Sequence, residues 1–200
     1  MRIEKHTPQI YQYFDICTDE QSDRIAELCH DYRDDNECLF IEQNDVRNNK
    51  SYNVTITSQN HPDADVREKL EEADTLINDI FSKAYNLYTE NNYLWDIYHS
   101  GISDDRVLGS EYIYRCYDVD EQYKWHVDKS VDKDLVLAFI LYLNDDFVGG
   151  KTLFLLDKLG VDAKKNSILV FPCGPHFIHR GTKVSSGYKK IIWSCFFNPS

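Results

Sequence analysis

The sequence predicts an α+β protein, with a helical first half and a β core after it. Two observations carry this. Between Val66 and Tyr88 apolar residues recur at steps of three and four, the period of a helix with one buried face. From Glu111 onward the chain changes to short apolar and aromatic runs separated by turns. Many short strands after a helical half suggest a sandwich or barrel of jelly-roll type. Two hundred residues are enough for one ordinary domain with its own core.

Taken in order, Ile10–Ile16 is an aromatic run that predicts a strand. Thr18-Asp19-Glu20-Gln21 has the form of a capping box. Ile25, Leu28, Cys29 and Tyr32 follow at helical spacing, so a helix is expected before the polar Asp34-Asp35-Asn36 turn. Leu39-Phe40-Ile41 and Tyr52–Thr57 read as strands, the second because it alternates and is β-branched. Asp45–Ser51 reads as a loop. Pro62-Asp63 opens the longest helix, and Asn91-Asn92 ends it. Its apolar face is broad and must pack against something large, for which a sheet is the natural partner.

The core strands are expected at Glu111–Tyr117, Tyr123–Val127, Leu135–Leu143, Thr152–Leu155, Ser167–Phe171 and Lys190–Phe197. Leu135–Leu143 is apolar without a break, as in a strand buried on both faces. Gly149-Gly150 and Pro172-Cys173-Gly174-Pro175 punctuate the strands as turns.

Charge and composition exclude some functions. The formal net charge is −12, which implies a solvated acidic surface and weighs against nucleic acid, whose phosphates need clustered Lys and Arg. A basic peptide would suit the charge. No apolar run is long enough to span a membrane. The N-terminal MRIEKHTPQIYQYF lacks the apolar core and cleavage site of a secretory signal. The six cysteines form no CxxC and read as reduced thiols, so a cytoplasmic protein is expected.

One short run carries chemistry: Trp125-His126-Val127-Asp128. Residues two apart on a strand point to the same side, so the imidazole of His126 and the carboxylate of Asp128 can converge on one ion. Two histidines and one carboxylate on one face of an iron leave coordination positions open. The third ligand must come from downstream. His176 and His179 both lie near the turn between two strands, and position alone does not separate them.

The surrounding residues do. The run from His179 through Val184 and Gly187 to Lys189 resembles the distal motif of the iron(II)/2-oxoglutarate-dependent dioxygenases, in particular the prolyl 4-hydroxylase-like branch. Lys189 falls ten positions after His179, and His176 fits no such spacing. Tyr117–Asp128 (YDVDEQYKWHVD) resembles the family run that ends in His-x-Asp. Tyr142–Phe154 (YLNDDFVGGKTLF) resembles the family's Tyr-Leu-Asn strand and the Gly-Gly-x-Thr-x-Phe after it. The resemblance covers about the last ninety residues, from Glu111 to Phe197; the first half shares only a helix-first plan. Asp120 stands where the family often has Gly. The basic residue is Lys, as in collagen-type prolyl 4-hydroxylases, rather than the Arg of oxygen-sensing relatives.

The resemblance implies a double-stranded β-helix (jelly-roll) core buttressed by N-terminal helices. One domain would span residues 1–200, with the buttress over about 1–100 and the catalytic core over about 111–197. His126, Asp128 and His179 would bind Fe(II), leaving His176 as a turn or rim residue. Lys189 would pair with the far carboxylate of 2-oxoglutarate, because an unpaired buried charge is very costly. Strand alternation then points Lys190 the other way. Tyr117 and Thr152 would donate hydroxyls to the same carboxylate, with Tyr142 as a further contributor. Gly149 and Gly150 would make the turn that brings Thr152 in. Tyr123, Trp125 and Trp193 either line a substrate groove or pack the sheet, and the loop Lys129–Asp134 is expected near the entrance.

The implied reaction consumes 2-oxoglutarate and O2, releases succinate and CO2, and hydroxylates a C–H bond. A prolyl residue in a peptide or protein is the leading substrate, with ascorbate (vitamin C) as an auxiliary reductant. The alternatives are the same chemistry on a free amino acid, a small metabolite or an alkylated base, and a non-catalytic jelly-roll binding module. A zinc hydrolase would want a general base beside the open position, and none is identifiable.

Overall fold

A computed structural model describes residues 1–41, 43–98, 108–109, 111–130 and 132–198. Strands β1 (Arg2–Lys5) and β2 (Tyr11–Phe14) precede helix α1 (Asp19–His30). Strand β3 (Lys50–Asn53) runs directly into α2 (Val54–Asn60). Helices α3 (Ala64–Asn91) and α4 (Tyr93–Tyr98) complete the first half.

Local chemistry sets these boundaries. Thr18 caps α1 through the reciprocal bonds its sequence predicts: Gln21 N–H donates to the Thr18 hydroxyl, and Thr18 N–H donates to the Gln21 side chain. Asp63 caps α3 by accepting the Asp65 N–H. The buried residues of α3 run from Val66 to Tyr88 at the predicted spacing.

Two predicted strands are corrected. Within Tyr52–Thr57, only Tyr52 and Asn53 are extended; Val54 onward is helical. The Asn53 side chain accepts the Ile56 N–H at 2.9 Å, and this cap overrides the β preference of Val54, Thr55 and Ile56. Leu39–Ile41 forms no strand: Phe40 makes one isolated bridge to Tyr52. Leu39 and Phe40 are exposed, and their contact with the sheet is limited to the Phe40 ring against Tyr52 and two backbone bonds to the β3 segment. Strand β1 and the short helices α2 and α4 lay outside the sequence reading.

The second half holds β4 (Leu108–Gly109), β5 (Ile113–Tyr117), β6 (Tyr123–His126), β7 (Asp134–Tyr142), β8 (Val148–Gly149), β9 (Thr152–Phe154), β10 (Leu159–Val161), β11 (Ser167–Pro172), β12 (His179–Gly181), β13 (Val184–Ser186) and β14 (Lys189–Asn198). One sheet runs β1-β2-β11-β7-β14-β5-β3, with β4 beside β14. A four-stranded sheet runs β10-β9-β12-β6, and β13 pairs with β8.

The larger sheet is covered on both faces, which explains the unbroken apolar run of β7. Leu137, Phe139 and Leu141 pack with Ile77, Phe81 and other residues of the helical layer. Ala138, Ile140 and Tyr142 face the other way and pack with Phe154 and Val161 of the smaller sheet. Strand β14 divides alike: Ile192 and Phe196 face the helices, while Ile191 and Cys195 face the smaller sheet. This is the α+β jelly-roll arrangement with a helical buttress. No described helix is long and apolar enough to cross a membrane.

Phe81 joins the two layers, its ring 5.7 Å from Phe139 and 5.1 Å from Tyr112. Phe81→Ala is expected to lower the free energy of urea unfolding by about 3–5 kcal/mol. Tyr93→Ala, at an exposed site, should change it by less than about 0.5 kcal/mol.

Candidate active site

The candidate ligands meet because β6 and β12 pair. His126 closes β6, His179 opens β12, and the two are register partners. Directly opposed residues place their side chains on the same face, and the two imidazole centroids lie 4.2 Å apart. Asp128 lies just past the end of β6, and the chain still turns its carboxylate inward. One oxygen lies 3.7 Å from His126 Nε2 and the other 3.6 Å from His179 Nε2. The three ligand atoms lie within 4.8 Å of one another.

Hydrogen bonds fix which ring nitrogen is bare. His126 Nδ1 is 2.7 Å from the Lys124 carbonyl, and His179 Nδ1 is 3.0 Å from the Phe177 carbonyl. A carbonyl only accepts, so both Nδ1 atoms carry a proton, and in the neutral ring Nε2 is the bare nitrogen, which on both histidines faces Asp128. Burial, reinforced by the neighbouring His179, lowers the His126 pKa to about 4, which keeps that ring neutral at ordinary pH. Asp128 is 8% exposed and its Oδ2 has no hydrogen-bond partner. With neutral rings, two nitrogen lone pairs converge on a buried carboxylate, an arrangement complementary to a metal ion. Packing holds the rings in place: Tyr123 stacks on His126 at 3.6 Å, and Phe171 and Phe154 flank His179.

A cavity adjoins this cluster, and Lys189, Tyr117, Thr152, Ile140, Ile191 and the two histidines are in its wall. Lys189 opens β14 and is 3% exposed. Its ammonium donates to the Gly150 carbonyl at 2.7 Å and lies over the rings of Tyr117 and Tyr142. Gly150 has φ +62°, and a Cβ there would come within 2.8 Å of the Phe147 ring and 3.1 Å of Lys189 Cδ. Glycine is therefore needed where the turn passes the lysine. Burial, with Arg115 nearby, lowers the Lys189 pKa to about 7. Lys190, one residue on, is only half-buried.

The other predicted site residues separate into groups. Tyr117 and Thr152 line the cavity. The Tyr142 hydroxyl is engaged with Thr152 Oγ1 at 2.9 Å, so Tyr142 reaches the cavity through that threonine. Tyr123 and Trp193 line it as well. Trp125 points outward, 39% exposed, with Arg180 over its ring. His176 sits exposed in a 3-10 turn, Pro175–Phe177. Asp120 adopts φ +69°, a left-handed conformation that glycine takes at lower cost.

Arg115 lay outside the sequence reading. It is 4% exposed and lines the same cavity. Its guanidinium lies 5.1 Å from the Tyr123 ring and 4.6 Å from the Trp193 ring. Alternation was the available signal, because Arg115 is two residues before Tyr117 on β5. A second cluster in the first half, Asp35, Cys38 and His61, does not resemble a metal site. His61 Nδ1 accepts the Asp63 N–H, so its proton sits on Nε2, facing Asp35 at 3.3 Å.

Residues 112–198 match the family model described as the 2OG-Fe(II) oxygenase superfamily. That segment is similar to the superfamily. It spans every residue of the candidate cluster and cavity. No curated protein matches the chain. Among solved structures, the chain is similar to a viral collagen prolyl hydroxylase from Paramecium Bursaria Chlorella virus-1, with a TM-score of 0.67 at 15% identity, covering 96% of this chain and 97% of that one. It is similar to a Pseudomonas putida prolyl-4-hydroxylase, with a TM-score of 0.65 at 16% identity, covering 96% and 94%. A Trichoplax adhaerens prolyl hydroxylase has a TM-score of 0.68 at 12% identity, covering 96% and 84%. At these identities the likeness establishes the shared fold.

Two measurements test the site. Asp128→Ala or His179→Ala should abolish stoichiometric Fe(II) binding in anaerobic equilibrium dialysis and leave the circular dichroism unchanged, whereas His176→Ala should bind as the parent does. Lys189 predicts a pH effect in the ligand-free protein. An unfolded lysine titrates near 10.4, and the folded one near 7. Between those values the unfolded chain binds the extra proton, so stability rises with pH, by up to about 1.4 kcal/mol per pH unit. Below pH 7 both states are protonated and the contribution is flat. Denaturation from pH 7 to 9 should therefore show a rise that Lys189→Met removes.

Proposed function

We propose that the protein is an Fe(II)- and 2-oxoglutarate-dependent dioxygenase that hydroxylates a C–H bond, of prolyl 4-hydroxylase type and acting on a peptide or protein. The observation that carries this is the pair of bare Nε2 atoms facing the partnerless Asp128 carboxylate, beside a cavity with a buried lysine. We read His126, Asp128 and His179 as the metal ligands. The donor set fits ferrous iron, since two imidazoles and one carboxylate leave positions open for co-substrate and O2. Iron bound there would supply the oxidation: one oxygen atom of O2 enters the C–H bond, the other enters succinate, and CO2 leaves.

The remaining tasks fall to the chain. Lys189 holds the far carboxylate of 2-oxoglutarate. A carboxylate beside it raises its pKa back toward the charged form, which closes the electrostatic account of a buried amine. Tyr117 and Thr152 donate hydroxyls to that carboxylate, and Tyr142 orients Thr152. Ile140 and Ile191 keep water from the cavity wall. The Lys124 and Phe177 carbonyls lock the ring orientation of the two histidines.

The substrate class draws on the neighbours. They are prolyl hydroxylases, and the Trichoplax one is in complex with a hypoxia inducible factor peptide fragment. The net charge of −12 suits a basic peptide. We take residues 1–200 as one domain, acting in the cytoplasm, with ascorbate restoring oxidised iron.

Turnover with Fe(II), 2-oxoglutarate and a panel of proline-containing peptides should yield succinate and a product one oxygen atom heavier by mass spectrometry. Activity confined to free amino acids, metabolites or alkylated bases would redirect the substrate. Absence of succinate with every substrate would favour a binding module. Lys189→Ala should raise the KM for 2-oxoglutarate about tenfold or more, as expected on losing a charged hydrogen bond.

A further inference from the structure

The cavity holds a second cation. Arg115 lies on β5 beside Tyr117, and its strand partner on β14 is Ile191, two residues from Lys189. Lys189 is in turn the partner of Tyr117. Arg115 is therefore displaced from the lysine by two residues along the strand, about 6.6–6.8 Å, and by one inter-strand spacing, about 4.8 Å, a separation on the scale of an extended five-carbon diacid with the side chains reaching toward it. Tyr123 separates it from the cluster, one ring contacting Arg115 and stacking on His126.

Arg115 makes no salt bridge among the described residues, although the Asp128 carboxylate is near enough to favour its charged form, and its Nε–H has no hydrogen-bond acceptor. A guanidinium cannot discharge itself by losing a proton, and a buried unpaired charge is very costly. Tyr123 and Trp193 supply ring faces that hold the guanidinium plane, and the Tyr117 hydroxyl meets part of its edge, while its Nε–H remains without an acceptor. In a chain of net charge −12, a buried guanidinium and a buried amine in one cavity are a local reversal of sign. Planar forks of this kind match carboxylates in bidentate geometry.

We infer that Arg115 is a second carboxylate anchor, so that Arg115 and Lys189 hold a dicarboxylate by its two ends. Arg115 takes the carboxylate nearer the histidines and Lys189 the farther one. This rests on the reading of the cavity as a 2-oxoglutarate site, and it adds a positioning residue that orients the reacting end of the co-substrate.

Titration calorimetry on protein loaded with redox-silent Mn(II) separates the two ends. With 2-oxoglutarate, Arg115→Lys and Lys189→Met should each weaken binding by at least about tenfold. With 2-oxopentanoate, which lacks the far carboxylate, Arg115→Lys should still weaken binding and Lys189→Met should not. Folding is checked by thermal melting of each variant. The unmutated protein provides an independent readout: the Arg115 Nε–H resonance, assigned from its contacts to Trp193, should shift on adding either acid. A folded Arg115→Lys protein that binds both acids as tightly as the parent would overturn the inference, as would an unmoved Nε–H resonance. Unchanged 2-oxoglutarate binding with loss of binding to an acidic peptide would also overturn it, assigning the guanidinium to the substrate instead. Failure of the unmutated protein to bind 2-oxoglutarate would remove the proposed function and the inference with it.

Discussion

Strand β14 is buried on both sides, and much of the architecture follows from that constraint. Its neighbours β7 and β5 complete its hydrogen bonds. Its period of two then divides its side chains between two interiors. Ile192 and Phe196 belong to the interior shared with the helices. Lys189, Ile191, Trp193 and Cys195 belong to the other side, where the cavity lies. A slip of one residue would exchange the two sets, placing Lys189 against the helices and Ile192 in the cavity. The helical layer thus acts on the site indirectly, by holding the register of the strand that carries it.

The polar groups of the interior have the opposite character from the surface. Outside, acidic residues give a net charge of −12. Inside lie Lys189, Arg115, two bare imidazole nitrogens and a partnerless carboxylate oxygen. Each of these costs stability where it stands. Their grouping around one cavity, rather than dispersal through the core, is what distinguishes a prepared site from accidental burial. The two aromatic rings beside Arg115 and the two beside Lys189 soften the cost without cancelling the charge.

The likeness to prolyl hydroxylases at 12–16% identity has a related origin. The jelly roll asks for alternation, for turns at particular places and for a covered sheet, and many side chains satisfy those demands. Chemistry is narrower. The candidate cluster and the cavity fall within residues 112–198.

Much of this was legible in the chain. The capping box at Thr18, the eight-residue stripe of α3 and the two-sided run of β7 are local patterns whose period reports secondary structure directly. The His126-Val127-Asp128 run and the ten-residue step from His179 to Lys189 are local too. Local signals compete at two places: Asn53 caps a helix inside an apparent strand, and Leu39–Ile41 has β character but little besides Tyr52 to pack on. Short strands such as β8 and β13 carry too few residues to show a period. Long-range pairing decided the rest. Only the register of β12 on β6 opposes His179 to His126 and leaves His176 outside. Only the pairing of β5 with β14 sets Arg115 beside Lys189. The sequence by itself determined which groups are available and on which elements they ride, because those depend on neighbours along the chain. The tertiary structure decided which groups share a cavity, because that depends on strands brought together from more than fifty residues apart.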